Sequence, residues 1–120
     1  MGEDKPRLWW RPWGRVPEVS ARQLLEMLSE VAPQILDVRT RVEWSQGHLP
    51  GAQSAPITAF ASALQRDAFD LDPTRPVVAV CLSAHRSPPA VRLLRNRGYE
   101  ACQLAGGMRA WWAAKGPIER

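Results

Sequence analysis

The chain has 120 residues and a mass of 13.4 kDa, the size of one ordinary domain, which argues against separate cofactor and substrate lobes. Hydrophobic residues make up 45% of the chain and charged residues 23%, which excludes wholesale disorder. The longest apolar run, residues 77–82, is far shorter than the roughly 20 residues of a membrane span, so we expect none. The net charge is +4, but no long stripe of basic and aromatic residues and no nucleic-acid motif is present, so we expect no nucleic-acid partner.

The first 14 residues are predicted to form an irregular arm, because prolines and a glycine break any periodicity there. Its tryptophans, Trp9, Trp10 and Trp13, either pack back over the domain or dock a partner or a membrane surface, and we favour packing. Since the first 20 residues hold no secretory apolar segment, we expect a cytoplasmic protein. The folded domain is expected to span residues 15–120, with a short strand near residues 15–19.

The first half of this domain is predicted to alternate helices and strands. Ser20 stands three residues before Gln23, the spacing of a capping box, and leucines then repeat at helical intervals, which predicts a helix over residues 21–31. An apolar run over residues 34–38 predicts a buried strand. A helical turn, a short strand and a longer helix are predicted over residues 40–46, 53–56 and 57–69.

The second half contains the clearest predicted strand, residues 76–81, whose apolar side chains on both faces suit the centre of a parallel sheet. Ser87 is expected to cap the next helix, residues 88–97, which has Pro88 in its first turn. Gly98 is expected to end this helix as a C-cap with a left-handed backbone. A strand over residues 100–104, a turn at residues 106–107 and a helix over residues 108–115 follow. This alternation predicts an α/β domain with a mainly parallel sheet.

The two cysteines, Cys81 and Cys102, are expected to be reduced thiols, since the cytosol keeps such pairs reduced. They are too few to form a zinc site without His48 or His85, and we expect no metal and no cofactor. Residues 73–99 contain five arginines and no acidic residue. This distribution predicts a positive field that favours small anions or an acidic partner.

Cys81 lies at the end of the central predicted strand, about five residues before a helix, with His85 and Arg86 in the loop between. In open parallel sheets, ligands bind beyond the carboxyl ends of the strands, where helix N-termini offer unpaired N–H groups. These surroundings favour the thiolate and predict a reactive nucleophile, with loop amides around its sulfur and Arg86 holding an incoming anion. On position alone, an inert cysteine that closes a buried strand is an equal alternative.

Three stretches of the chain carry further motifs. They are Asp37-Val38-Arg39 with Glu43-Trp44 and the GHLPGA of residues 47–52; Cys81, followed after four residues by Arg86-Ser87; and the LAGG of residues 104–107, followed by Trp111. Together they cover roughly residues 15–115 in order, and they resemble the rhodanese superfamily of sulfurtransferases.

The resemblance implies a rhodanese-like α/β fold, with a five-stranded, mainly parallel sheet flanked by helices on both faces. It implies transfer of a sulfane sulfur from a small anionic donor such as thiosulfate, through a persulfide on Cys81, to a thiophilic acceptor such as cyanide or a thiol. The acceptor would be a small thiol or a protein. The loop residues implied to bind substrate are Leu82, Ser83, Ala84, His85, Arg86 and Ser87.

Two other functions stay open at this point. Related phosphatases and arsenate reductases have five residues between cysteine and arginine, and the four residues here fit a single sulfur better than an oxyanion. A rhodanese-fold binding or regulatory module with little turnover is the second alternative, and it is supported by Ala84, which stands where many family loops have glycine. We expect Ala84 to be right-handed, because left-handed strain at this loop would need a compensation that the sequence does not show.

Several neighbouring residues have both a structural and a chemical interpretation. Asp37 and Glu43 are expected to give structural support, although either could orient the loop arginine or the loop amides from behind. His48 is expected to pack its turn onto the fold. His85 either modulates the charge of the thiolate or is an exposed bystander. Cys102 is expected to be an inert core thiol rather than a resolving partner for the nucleophile.

Overall fold

The protein is built around a five-stranded parallel sheet, seen in a computed structural model that describes residues 16–120. The strands are β1 (Glu18–Val19), β2 (Gln34–Asp37), β3 (Gln53–Ser54), β4 (Val77–Val80) and β5 (Ala101–Leu104). Their order across the sheet is β1-β5-β4-β2-β3, and each pair of neighbours runs parallel. The predicted parallel sheet of five strands is confirmed.

The helices cover both faces of the sheet, as predicted. They are α1 (Ala21–Glu30), α2 (Arg41–Ser45), α3 (Phe60–Gln65), α4 (Ser87–Asn96) and α5 (Gly107–Ala113), with a short 3₁₀ helix at Ile57–Ala59 before α3. One apolar cluster joins α3 and α4 to one face of the sheet, and a second joins α1 and α5 to the other face. The strands are buried on both sides, which explains their continuous apolar sequences.

The predicted capping box at Ser20 is present, and a second one that was not predicted lies at Thr40. Ser20 Oγ accepts the Gln23 amide at 3.1 Å, while Gln23 Oε1 accepts the Ser20 amide at 2.8 Å, which completes a capping box at α1. Thr40 and Glu43 form the same motif at α2. Each pair satisfies two N–H groups that the first turn of a helix leaves unpaired.

Three local predictions were wrong. The helix predicted over residues 57–69 is a 3₁₀ turn followed by α3, which ends before Asp67 because that residue has a left-handed φ of 54°. Ser87 does not cap α4: the N-cap is Arg86, and Ser87 is the first helical residue, with its hydroxyl bonded elsewhere. The final helix ends at Ala113 rather than at residue 115.

The strand register brings the carboxyl ends of β2, β4 and β5 to one edge of the sheet. Asp37 pairs with Val80, and Ala79 pairs with Gln103. Cys81 follows directly after β4 and is flanked at this edge by the loops that leave β2 and β5. Cys81 therefore lies at the edge of the sheet where ligands bind in open parallel sheets.

Within residues 16–120 the structure contains no helix long and apolar enough to cross a membrane. The same part of the chain contains no cluster of three or more histidine, cysteine or acidic side chains that could hold a metal ion. The predicted arm and its three tryptophans lie outside the described residues.

Candidate functional site

Cys81 is the centre of the candidate site, between the end of β4 and the start of α4. Its sulfur accepts a hydrogen bond from the Arg86 backbone amide at 3.3 Å and lies 3.6 Å from Ser87 Oγ. The residue is only 1% exposed, so this sulfur lies beneath its loop rather than on the surface. An amide of the first helical turn directed at the sulfur stabilises negative charge there.

The loop between Cys81 and Arg86 turns through a left-handed residue. Ala84 has a φ of 67°, which contradicts the expected right-handed conformation. The left-handed region is costly for alanine and normal for glycine, so the chain retains backbone strain next to its candidate nucleophile. The partly buried Ala84 side chain packs against the core cluster under α4. This apolar contact offsets part of the strain, and sequence patterns alone do not show it.

The remaining loop side chains differ in exposure. His85 is exposed, and its Nδ1 lies 2.8 Å from Ser83 Oγ, so the two side chains are hydrogen-bonded to each other on the solvent side of the loop. Leu82 is half-buried and packs against the opposite core cluster from the one under α4. The loop therefore presents its polar side chains outward and anchors its start in the core.

Arg86 is bound to Glu43 across the site. Its guanidinium donates to both carboxylate oxygens, at 2.9 Å and 3.2 Å, while about a third of each side chain remains exposed. This hydrogen bond to Arg86 is the main reason why the pKa of Glu43 falls from 4.5 to about 2, and in return Glu43 raises the pKa of Arg86. Glu43 also accepts the Thr40 amide, so one carboxylate both caps α2 and fixes the loop arginine.

Asp37 supports a different part of the edge. It forms a buried ion pair with Arg39, whose Nη2 lies 2.6 Å from Oδ2, and it accepts the Arg39 amide at 3.1 Å. The same guanidinium donates to the Gly47 carbonyl at 2.8 Å. Asp37 thus ties the end of β2 to the turn after α2, whereas Glu43 is the acid that contacts the loop.

The N-terminus of α5 fixes the backbone of the nucleophile. The Met108 amide donates to the Cys81 carbonyl at 2.8 Å, and the Arg109 amide donates to the Leu82 carbonyl at 3.1 Å. Gly107 has a φ of 59°, and a Cβ atom there would lie 2.6 Å from the Leu82 carbonyl carbon. The two glycines at the start of α5, Gly106 and Gly107, signal this close approach in the sequence, although we predicted only a turn from them.

Ser87 and Gln103 form a buried polar contact behind Cys81. Ser87 Oγ donates to Gln103 Oε1 at 2.5 Å, and both residues are less than 10% exposed. Gln103 was missing from the predicted site residues, because its place in an apolar strand gives no local signal. Only the register of β5 against β4 brings it to the nucleophile.

His48 and Cys102 have structural positions. His48 stacks on Trp44 at 4.3 Å between ring centroids, and its backbone pairs with Glu119 in an isolated bridge. Cys102 is fully buried in β5, and burial raises the pKa of its thiol to about 12. A thiol that remains protonated at neutral pH is a poor nucleophile.

A cleft of about 490 Å³ opens beside the loop. It is lined by Arg39, Glu43, Gln46, Gly47, Leu82, Trp112, Ile118 and Arg120. Trp112 is 49% exposed, an unusual exposure for a large apolar side chain, and Arg120 is held in place by its bond to the Gln46 carbonyl. The cleft therefore combines an apolar wall with positive charge next to the candidate nucleophile.

Comparison with known proteins gives several similar curated sequences. The chain is 32% identical to human thiosulfate:glutathione sulfurtransferase, covering 79% of this chain and 92% of that protein. It is 33% identical to an HTH-type transcriptional regulator of Mycobacterium tuberculosis, covering 84% of this chain and 44% of the regulator. The chain spans about half or less of the length of several curated relatives.

The fold is also shared with solved structures. The rhodanese-like domain of an Anabaena protein superposes with a TM-score of 0.73 at 33% identity, covering 85% of this chain and 77% of that one. The family model for the rhodanese-like domain matches residues 20–114, which include Cys81, its loop and both elements that hold the loop. The chain therefore belongs to the rhodanese-like domain family.

Proposed function

We propose that the protein is a sulfurtransferase that carries a sulfane sulfur as a persulfide on Cys81. The Cys81 thiolate attacks the outer sulfur of a donor such as thiosulfate, the donor's S–S bond breaks, and sulfite leaves with the bonding electrons. A thiophilic acceptor such as cyanide then attacks the outer sulfur of the persulfide. The new bond forms on the acceptor, and the S–S bond to Cys81 breaks to release the thiolate.

The observation that carries this proposal is the hydrogen bond from the Arg86 amide to Cys81 Sγ at 3.3 Å, at the start of α4. Cys81 Sγ carries a negative charge in two steps: as the thiolate that attacks the donor, and as the thiolate that is released when the S–S bond of the persulfide breaks. A helix N-terminal amide stabilises that charge in both steps. The loop has only four residues between Cys81 and Arg86, which favours a single sulfur over a tetrahedral oxyanion.

Arg86 is the candidate binding group for the anionic donor. Its contact with Glu43 holds the guanidinium beside the loop, and a third of the side chain remains exposed for a second partner. A guanidinium has five N–H donors, so the bidentate contact with Glu43 leaves others for sulfonate oxygens. Glu43 acts as a positioning residue in this proposal, because it fixes the direction of Arg86.

The acceptor is proposed to approach through the cleft beside Leu82. Its volume of about 490 Å³ lies within the range of small-molecule sites. Arg120 and the exposed Trp112 ring suit a small thiol that has a carboxylate and an apolar stem. A protein thiol that presents the same groups on a flexible segment would use the same cleft.

A second function is favoured by one observation. Cys81 is 1% exposed, so very little of the residue is accessible to a donor. A rhodanese-fold binding or regulatory module with little turnover would tolerate such burial, and one relative is a transcriptional regulator. In that case the loop and its arginine would serve as a recognition surface rather than as a catalytic site.

Intact-mass measurement after incubation with thiosulfate separates the two functions. We expect the mass to increase by one sulfur atom and cyanide to remove the added sulfur. Cys81→Ser should abolish the adduct, because a serine hydroxyl forms no persulfide, while Cys102→Ser serves as the matched control and should keep it. No adduct from thiosulfate or a polysulfide would favour the binding module, and an adduct lost only in Cys102→Ser would place the nucleophile elsewhere.

The extent and location of the protein belong to the same proposal. We propose that the functional domain covers residues 15–120 and that residues 1–14 form an arm outside it. The cytoplasmic location stays a prediction from the sequence.

A further inference from the structure

The buried contact between Ser87 and Gln103 constrains the single hydrogen of the Ser87 hydroxyl. The partner atom, Gln103 Oε1, is a carbonyl oxygen that can only accept, so at 2.5 Å the hydroxyl must be the donor. Ser87 Oγ then faces Cys81 Sγ with its lone pairs, at 3.6 Å. In the thiol form this arrangement is satisfied, because the Cys81 S–H donates to Ser87 and Ser87 donates to Gln103.

The arrangement changes when Cys81 loses its proton to solvent. A thiolate has no hydrogen to donate, so a lone pair of Ser87 faces a negative sulfur unless the hydroxyl turns. If the hydroxyl turns toward the sulfur, Gln103 Oε1 loses its hydrogen bond while Gln103 is only 7% exposed to solvent. A buried acceptor without a partner is unfavourable. Gln103 Oε1 and the Cys81 sulfur therefore compete for the single hydrogen of the Ser87 hydroxyl.

We propose that Gln103 is a positioning residue for the nucleophile, which holds the Ser87 hydroxyl hydrogen in the resting thiol and releases it when the sulfur becomes negative. Gln103 lies beside Ala79 in the pairing of β5 with β4, and its side chain contacts Ser87 at the start of α4. The inference uses the proposed function only for the identity of the nucleophile. It predicts that Gln103 opposes ionisation of Cys81 and that this effect passes through Ser87.

Other charged or titratable groups lie on the surrounding elements and must remain constant during a test. They are Arg86 and His85 in the loop, Asp37 and Arg39 after β2, Glu43 on α2, and Arg109 on α5. Neither Ser87 nor Gln103 is charged, so substituting them leaves this set unchanged. A change in the pH midpoint of Cys81 alkylation in these variants is therefore attributed to the Ser87 hydroxyl.

The experiment measures the pH dependence of Cys81 alkylation by iodoacetamide in the full chain, with Cys102→Ser as the common background. We expect Gln103→Met, a substitution of similar shape without the acceptor, to lower the pH midpoint by about one unit, a tenfold change in the ionisation constant. Ser87→Ala should raise the midpoint, because the thiolate then loses its hydroxyl donor. In the Ser87→Ala background, Gln103→Met should produce no further shift.

A purely structural role for Gln103 predicts a different result. It would give equal shifts with and without Ser87, or none in either background, and both outcomes would overturn the proposal. Gln103→Leu provides a second variant if Gln103→Met does not fold. Thiosulfate loading is measured in parallel, so the predicted alkylation shifts without a sulfur adduct would support the role of Gln103 while rejecting the proposed sulfurtransferase activity.

Discussion

Replacing Ala84 with glycine tests whether the loop strain limits the chemistry. Ala84 has a φ of 67°, where an L-residue costs about 1–2 kcal/mol relative to right-handed backbone. Glycine removes this cost but adds about 0.4–1 kcal/mol of unfolded-state entropy. It also removes a partly buried methyl group, worth at most about 0.8 kcal/mol. We therefore expect the free energy of unfolding of Ala84→Gly to lie within about 1 kcal/mol of the parent value.

The rate of sulfur transfer should respond more clearly than stability. If strain of about 1 kcal/mol opposes the loop conformation in which the Arg86 amide faces Cys81, its relief raises the ratio of that conformation to its alternatives about fivefold. The assay is the rate of cyanide-labile sulfur loading from thiosulfate at low donor concentration, together with chemical denaturation. We expect faster loading, by up to about fivefold, in Ala84→Gly.

Two alanines of the chain provide matched controls. Ala32 is exposed, has a φ of 47° and lies at the opposite edge of the sheet, so Ala32→Gly should relieve similar strain without changing sulfur loading. Ala61 is exposed in the right-handed helix α3, and Ala61→Gly should destabilise the fold by about 1 kcal/mol. Slower loading in Ala84→Gly, or the same increase in loading in Ala32→Gly, would refute the argument.

Three further substitutions test the groups around the loop. Arg86→Ala should raise the KM for thiosulfate roughly tenfold, the scale of a charge-assisted hydrogen bond, and equal kinetics of variant and parent would remove this arginine from the donor site. Glu43→Gln keeps an N3 residue that completes the capping box but removes the ion pair. The folded-state pKa of Glu43 is lowered from 4.5 to about 2. The ionised carboxylate therefore adds to the free energy of unfolding above pH 4.5, and this stabilisation is lost as the pH falls toward 2. Acid titration of unfolding should therefore show a loss of about 1 kcal/mol in this range for the parent that Glu43→Gln lacks, and parallel curves would contradict it. Gly107→Ala should lower the free energy of unfolding by about 2–4 kcal/mol, because the added Cβ meets the Cys81 and Leu82 carbonyls and residue 107 has a φ of 59°. Gly98→Ala is the control: residue 98 also has a positive φ but open space around it, so this change should lower the free energy of unfolding by about 1 kcal/mol. Equal losses in the two glycine variants, measured by denaturation, would show that the contact is unimportant.

The sequence predicted those features of the fold that depend on local pattern. Strands such as β4 are continuous apolar runs because both faces are covered, and the cap at Ser20 follows from residues three positions apart. The position of Cys81 at a strand end follows from the same pattern. Backbone handedness at Asp67 was missed, since no glycine or asparagine marks the left-handed turn that ends α3 there.

The parts of the site that the sequence left undetermined depend on contacts between distant segments. Glu43 and Arg86 are 43 positions apart, and the capping motif around Glu43 already explains a local use for its carboxylate. Ser87 looked like a helix cap because its hydroxyl suits that role, yet the hydroxyl is directed to Gln103 on another strand. Sequence patterns identify which groups are available, and strand register decides which of them meet.

The order of strands across the sheet also sets the order in which the protein can be assembled during synthesis. Among the described strands, β1 is the first to leave the ribosome and pairs with β5, the last of them, so it has no partner in the sheet until residue 104 has been made. Until then one edge of β4 lacks its partner, and long-range parallel pairing of this kind is slow to form. The hydrogen bond to the Cys81 carbonyl forms later still, because its donor, the Met108 amide, is made after β5. A nascent chain therefore carries the Cys81 thiol before the backbone contacts that position it are in place, and the candidate site is among the last of the described parts of the chain to form.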